Sequence, residues 1–225
     1  MDIVIPNTTS IKFLGLLLDN KLTWKAYSRE LAIKLNKACN AIRAIKSLVS
    51  LKALISIYFS YYHSLLMYGI IFWGNSPVSN DIFKIQKRAI RIIANKFWLE
   101  SCKHLFKRLK ILTLPSQYIF SVLVFVVQNR DLFMSNIDIH SLNTRNSFDL
   151  HLPSTYLTTV QRGVLYSGCT VFNSLPAYIK SHSEISRHFK KILKNYLIEQ
   201  SIYSLEEYYQ LTIKRMGSIV LPSTL

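Results

Sequence analysis

From Ala53 to Trp73 the chain carries no formally charged side chain, and this run does most to narrow the folds open to it. It is just long enough to cross a bilayer, which takes about 20 apolar residues. Polar groups interrupt it, however. Ser56, Ser60, His63 and Ser64 recur at helical spacing, and Tyr58, Tyr61, Tyr62 and Tyr68 lie inside it. Such a pattern suits a helix packed within protein better than one bathed in lipid. We therefore expect a helix over Leu51 to about Phe72 that sits in the core, with a membrane anchor as the lesser alternative.

The flanking sequence supplies partners for a core helix. Between Tyr27 and Val49 the apolar residues Leu31, Leu35, Ala38, Ile42, Ile45 and Val49 fall four, three, four, three and four apart, which predicts an amphipathic helix. Before it, Ile11 to Leu18 is apolar apart from Lys12. Asp19-Asn20-Lys21 then forms a turn ahead of Leu22, Thr23 and Trp24, so we expect a β-hairpin there. After Pro77, Ser79 or Asn80 is placed to cap a helix running to about Phe97.

That last helix has two distinct sides. At about 100° per residue, Ile82, Ala89, Ile93 and Phe97 share one stripe, and Lys84, Lys87, Arg88 and Arg91 share the opposite one. No acid occurs from Ile82 to Leu99, whereas a merely solubilising helix usually interleaves Glu with its cations. The four cations therefore repel one another unless phosphates answer them. Ser183 to about Gln200 repeats the arrangement, with Ile185, Phe189, Ile192 and Tyr196 on one side and Arg187, Lys190, Lys191 and Lys194 on the other. Here Glu184 and Glu199 stand at the ends, which weakens the case for phosphate contact.

Between these segments, Ser101 heads a short basic helix ending near Leu109, and Pro115 suits the first turn of another running to Asn129. Tyr118 to Val127 is rich in β-branched residues, so a buried strand stays open as an alternative. Ser135 to Ser167 is polar and weakly periodic, and reads as a boundary or an extended connector. Half of the 225 residues are hydrophobic, enough to fold. The expected fold is mainly α: a helical, thumb-like bundle with an N-terminal β-hairpin and a small irregular C-terminal region, divided as 1–26, 27–134 and 135–225.

Charge points to the class of partner. There are 28 Lys and Arg against 12 Asp and Glu, a formal charge of +16. A surplus of that size strains a compact state unless a polyanion neutralises it. Cys39, Cys102 and Cys169 are odd in number and widely spaced, which excludes a disulfide framework and a Cys-x-x-Cys metal pair and fits a reducing compartment. Met1 to Ser10 carries Asp2 where a signal peptide would be positive, so we expect an intracellular protein of the cytoplasm or nucleus. His182 with His188, and Cys102 with His104, lack four ligands at zinc spacing. No nucleophile elbow is evident.

Several strings carry a resemblance. Ile11-Lys-Phe-Leu-Gly-Leu-Leu-Leu-Asp19 followed by Leu22-Thr-Trp24 resembles the hairpin after the palm of non-LTR (LINE-type) retrotransposon reverse transcriptases. The order then resembles that family's C-terminal region: Tyr68 to Trp73-Gly74, Ile85-Gln-Lys-Arg-Ala-Ile-Arg91, Leu105-Phe-Lys-Arg-Leu-Lys-Ile-Leu112, Asn143-Thr-Arg145, Phe172-Asn-Ser-Leu-Pro176 and Phe189-Lys-Lys-Ile-Leu-Lys194. The resemblance implies a primer grip in the first hairpin, with Phe13, Leu14, Gly15 and Trp24 as the residues concerned, and a thumb that clasps template and primer in the helices after it. On composition alone Gly15 could let a nucleic-acid backbone approach, and Trp24 could stack on a base or plug the core.

The family's palm, with its paired aspartates, would lie before residue 1. Two-metal nucleotidyl transfer needs carboxylates converging on cations about 4 Å apart, and the acids here are scattered mostly singly, with Glu206-Glu207 the one adjacent pair. We therefore expect no catalytic residues, no cofactor (Mg2+ would belong to the missing palm) and no small-molecule substrate. The expected partner is an RNA or DNA backbone, with a separate palm or other retrotransposon polypeptide as an open second one. Asn143-Thr-Arg145 and Asn173-Ser-Leu-Pro176 read as structural turns. The competing reading is a helical protein-interaction remnant whose basic faces bind acidic proteins.

Overall fold

The computed structural model describes residues 8–97, 99–140, 149–183 and 186–218. Of the described residues 66% are helical, with a two-stranded antiparallel hairpin at the N-terminus, the mainly α fold expected. It divides into two compact units, residues 1–105 and 106–225. The hairpin falls in the first unit with the helices that follow it, and the boundary between the units lies within residues 27–134.

In the first unit, β1 (Ser10–Phe13) pairs with β2 (Leu16–Asp19), Ile11 facing Leu18 and Phe13 facing Leu16. The hairpin turn is therefore Leu14-Gly15 and not Asp19-Asn20-Lys21. Both turn residues have positive φ, 46° and 81°, as a two-residue loop matched to strand twist requires, and glycine supplies the second at no steric cost. Asp19-Asn20-Lys21 is a turn of a different kind. The Asp19 carboxylate accepts from the backbone N–H groups of Lys21, Thr23 and Trp24 and from the Thr23 hydroxyl, and so leads the chain into a helix instead of a further strand.

That helix, α1 (Lys25–Ile45), buries Tyr27, Leu31, Leu35, Ala38, Cys39 and Ile42, which the four-three spacing anticipates. Ile45 and Val49 lie at and beyond its end and are only half-buried. Ser50 caps α2 (Leu51–Ile57) by accepting from Ala53 N–H. The expected single helix to Phe72 is broken. A π-helical turn (Tyr58–His63) leads into α3 (Ser64–Met67); the chain then bends at Tyr68 and Gly69 before α4 (Ile70–Trp73). Gly69 has φ 62°, and a Cβ there would lie 2.8 Å from the Leu16 side chain, so close contact with the hairpin decides the break.

The charge-free segment is consequently not core throughout. Leu54, Tyr58, Tyr62, Leu66, Ile70 and Trp73 are buried, while Tyr61, Tyr68 and Phe72 are about half exposed. The unit is completed by α5 (Ser79–Ile93). β2, the π turn, α3 and α5 all pack on α1.

The short helix α6 (Lys103–Leu109) spans the division between the units. In the second unit, α7 (Leu114–Gln128) resolves the helix-or-strand alternative in favour of helix: Thr113 caps it and Pro115 occupies its first turn. Alternation would have put Tyr118 to Val127 half on each face; instead Tyr118, Ile119, Val122, Leu123 and Val126 form one fully buried side. After α8 (Asn136–His140) and α9 (Thr158–Gln161), helices α10 (Val164–Asn173) and, beyond α11 (Ala177–Lys180), α12 (Ser186–Gln200) pack on α7. Gly168 of α10 sits where a Cβ would come within 2.9 Å of Val126, so only glycine allows this approach. Tyr208 of α13 (Leu205–Ser218) is fully buried and donates to the Val171 carbonyl. Among the described residues after 135, α10, α12 and α13 thus all pack within the second unit.

Candidate nucleic-acid interface

The cationic side of α5 depends on how the helix is rolled against its neighbours. Ile82, Ala89 and Ile93 are buried as the periodicity predicts, joined by Phe83, Gln86, Ile90 and Ile92. Gln86 is the polar member of this face. It is fully buried and its Nε2 donates to the Tyr58 hydroxyl at 3.1 Å, and Tyr58 in turn stacks on Tyr62 at 5.1 Å between ring centroids. Burial pushes both tyrosine hydroxyls well above their ordinary pKa, so they stay neutral hydrogen-bonding groups.

The ends of α5 differ from expectation. Val78 stands at the N-cap position without a side-chain cap, so neither Ser79 nor Asn80 caps the helix; Asp81 in the first turn provides the negative charge that the helix dipole favours. The helix stops at Ile93, not Phe97. Asn95 adopts φ 52°, and Lys96 N–H reaches back to the Arg91 carbonyl, satisfying an otherwise orphaned acceptor. Phe97 therefore falls beyond the helix and is 84% exposed, not part of the buried stripe.

Lys84, Lys87, Arg88 and Arg91 emerge together on the side away from the core, Lys84 and Arg88 exposed and the other two half-buried. Lys84 pairs with Asp81 at 2.8 Å, but both groups are more than 70% exposed, so the pair is screened and weak. Arg88 donates to the Asn36 side-chain oxygen on α1, and Arg91 donates through Nε to the Glu100 carbonyl at 2.8 Å. These acceptors are neutral, so they orient the guanidinium groups without cancelling their charge. Lys87 Nζ lies 4.8 Å from the centroid of the Phe83 ring.

Packing brings in cations that the reading of α5 alone had missed. Arg88 meets Asn36, and seven residues further on Asn95 meets Lys46, whose Nζ donates to its side-chain oxygen at 2.9 Å. Hence α1 and α5 run side by side in the same direction, and Arg43 and Lys46 extend the basic surface. Burial raises the Cys39 thiol pKa, with Arg88 and Arg43 pulling against that rise, which places both guanidiniums close to this seam. Arg43 and Lys46 lie three apart near the end of α1, a signal that only becomes meaningful once its neighbour is known.

The second unit carries the other basic face. Arg187, Lys191 and Lys194 are exposed and Lys190 is half-buried, opposite Phe189, Leu193, Tyr196 and Leu197. The buried stripe is thus displaced from the expected one: Ile192 is only half-buried, Ile185 lies outside the described residues, and Leu193 and Leu197 take the core positions. Among the described residues Arg187, Lys190 and Lys191 meet no carboxylate. Glu184 lies outside the described residues.

The primer-grip-like residues separate. Phe13, Leu14 and Gly15 are exposed at the hairpin tip, whereas Trp24 is 8% exposed and packs edge-on to Tyr27, plugging the core. A Cβ at Gly15 would meet the Tyr68 hydroxyl at 3.2 Å, and Tyr68 donates to the Leu14 carbonyl, so the close approach here is by the chain's own tyrosine.

Other motif residues serve structure. Asn173 clamps Leu150 through two hydrogen bonds of 2.8 Å, one to its N–H and one to its carbonyl. Asn143-Thr-Arg145 lies outside the described residues. Cys102 is buried beneath the Lys87 carbonyl, and the His182 and His188 rings meet edge to face at 4.8 Å. Among the described residues no three His, Cys, Asp or Glu side chains converge as a metal site would need. No single helix among them is long and apolar enough to cross a membrane. No family model, no curated protein and no solved structure matches the chain.

Proposed function

We propose that this chain grips the sugar-phosphate backbone of RNA or DNA through cationic helix faces, as a non-catalytic, thumb-like part of a polymerase of the non-LTR retrotransposon reverse transcriptase type. The observation that carries the reading is the outward face of α5, where Arg88 and Arg91 are oriented by neutral acceptors and Arg43 of α1 and Lys46, just past its end, add to the same surface. Held but uncancelled guanidinium groups suit phosphate, whose oxygens they can bind in pairs. Such contacts supply affinity and register without reading bases. The family assignment is supported by the collinear motifs, and the chemistry in this reading belongs to a palm outside this chain. A reducing intracellular setting is supported by three cysteines that are all free and buried.

The test is salt. If about four to six phosphates of a duplex are neutralised, the logarithm of the association constant should fall against the logarithm of salt with slope near −4 to −5. A flat slope refutes the reading. Changing Lys84, Lys87, Arg88 and Arg91 together to Glu should abolish binding to RNA and DNA; binding that persists would favour a scaffold whose basic faces meet acidic proteins.

A further inference from the structure

A cleft of about 380 Å3 opens in the first unit, where the end of α1, the start of α2 and the end of α5 come together. The buried Leu54, Ile92 and Ile93 and the more exposed Val49 and Leu51 line it together with Ser47, so its lining is mostly aliphatic. At the mouth stand Lys46 and Asn95, joined by the hydrogen bond from Nζ to the amide oxygen. Its volume lies within the range of sites that take a ligand group, and its form, a mostly apolar lining with few polar groups at the rim, is the usual one.

A phosphate backbone does not account for this cleft, because it presents no apolar group to fill it. Further apolar side chains are exposed next to its lining residues in the chain. Leu48 is 79% exposed, Leu51 52%, and Phe97, two residues past Asn95, 84%. Large exposed apolar side chains so near a cleft with a polar margin mark contact with another protein more than with a small molecule. Charge narrows the partner further. Lys46 and Lys52 are exposed at this end of the unit, and no acid occurs in the sequence from Lys46 to Asn80.

We infer that this cleft docks an amphipathic helix of a protein partner with acidic residues beside its apolar stripe. One apolar side chain enters between Leu51 and Ile93, a second rests on Leu48, and a carboxylate takes the Lys46 ammonium from Asn95. The parallel ends of α1 and α5 provide the groove in which such a helix lies.

The experiment uses the full chain and a fluorescein-labelled synthetic helix of about four turns, with Leu at i, i+3, i+4 and i+7 and Glu between them. A scrambled peptide of the same composition serves as the control for bulk charge. Anisotropy should show the patterned peptide binding at least about ten-fold more tightly than the scramble. Leu51→Glu and Leu48→Glu, both at exposed positions where folding is not threatened, should bring it to the level of the scramble. Lys46→Glu should weaken it, and a patterned peptide with Lys in place of Glu should recover the loss.

Duplex binding is measured on the same proteins. Leu51→Glu should leave it intact, while charge reversal on α5 removes it and leaves the peptide bound, so failure of one reading is separable from failure of the other. Equal binding of patterned and scrambled peptides, or indifference to Leu51→Glu, overturns the inference. So does a Leu51→Glu variant that loses oligonucleotide but not peptide, which would assign the cleft to an inserted base.

Discussion

Gln86 of α5 donates a hydrogen bond of 3.1 Å to the Tyr58 hydroxyl of the π turn, and both side chains are fully buried. The bond ties the buried side of α5 to the π turn, alongside the apolar residues Ile82, Phe83, Ala89, Ile90 and Ile93. Because Lys84, Lys87, Arg88 and Arg91 stand on the opposite side of the same helix, a polar contact inside the core helps to aim a charged surface outside it. Gln86→Ala should destabilise the protein by about 1 to 3 kcal/mol, since it leaves a buried hydroxyl without its donor. Urea denaturation of Gln86→Ala, Tyr58→Phe and the double variant checks this. The double variant should cost less than the sum of the two singles, and strict additivity would show that the residues are not coupled.

Arg91 should act on nucleic acid as a phosphate contact and not as a base reader. Arg91→Ala should weaken binding to unrelated duplex sequences alike and reduce the magnitude of the salt slope by about 1. Filter binding across a salt series decides it; weakening confined to one sequence would argue for base contact.

Asn36 should matter through Arg88. Asn36→Ala removes the acceptor that orients the guanidinium but leaves its charge in place. Affinity for a duplex should therefore fall a few-fold, about 0.5 to 1 kcal/mol, with the salt slope unchanged. An Asn36→Ala variant in which the slope drops as it does for Arg91→Ala would show that Arg88 has left the interface.

Gly69 is held at φ 62° against Leu16. Gly69→Ala should cost about 1 to 3 kcal/mol from backbone strain together with the close contact on the hairpin. Thermal unfolding followed by circular dichroism tests this, and a neutral substitution would mean that the hairpin shifts without cost.

Asp19 carries a pH dependence. Partial burial works to raise its pKa, but the hydrogen bonds from Thr23, Trp24 and Lys21 outweigh that and hold the carboxyl below its ordinary value. A folded-state pKa depressed below the unfolded one gives stability that is present above the unfolded value and lost as pH falls through the folded one. The stability gap between the protein and its Asp19→Ala variant should therefore be full above about pH 5 and shrink below about pH 4. A gap that stays constant down to about pH 2 would remove the carboxylate from the account.

Much of this architecture was legible in the residues themselves. The four-three spacing from Leu31 to Ile42 names the buried side of α1, and the charge pattern from Ile82 to Ile93 names both sides of α5, because burial of an apolar stripe depends on local periodicity. Pro115 placed the start of α7 for an equally local reason. The turn of the hairpin was not legible, since Leu14 had to accept a positive φ that its sequence does not advertise. Nor was the break at Gly69, which answers to Leu16 far away in the chain.

The sequence by itself thus determined most of the inward residues of α1 and α5 and that the outward side of α5 is strongly basic, for a side chain's angular position follows from helical geometry alone. Only the tertiary structure decided where α5 stops, that Arg88 leans on Asn36, and that Lys46 and Asn95 close the mouth of an aliphatic cleft. Those features depend on residues distant in sequence meeting in space, and the packing that joins them is set by volume and hydrogen bonding across helices.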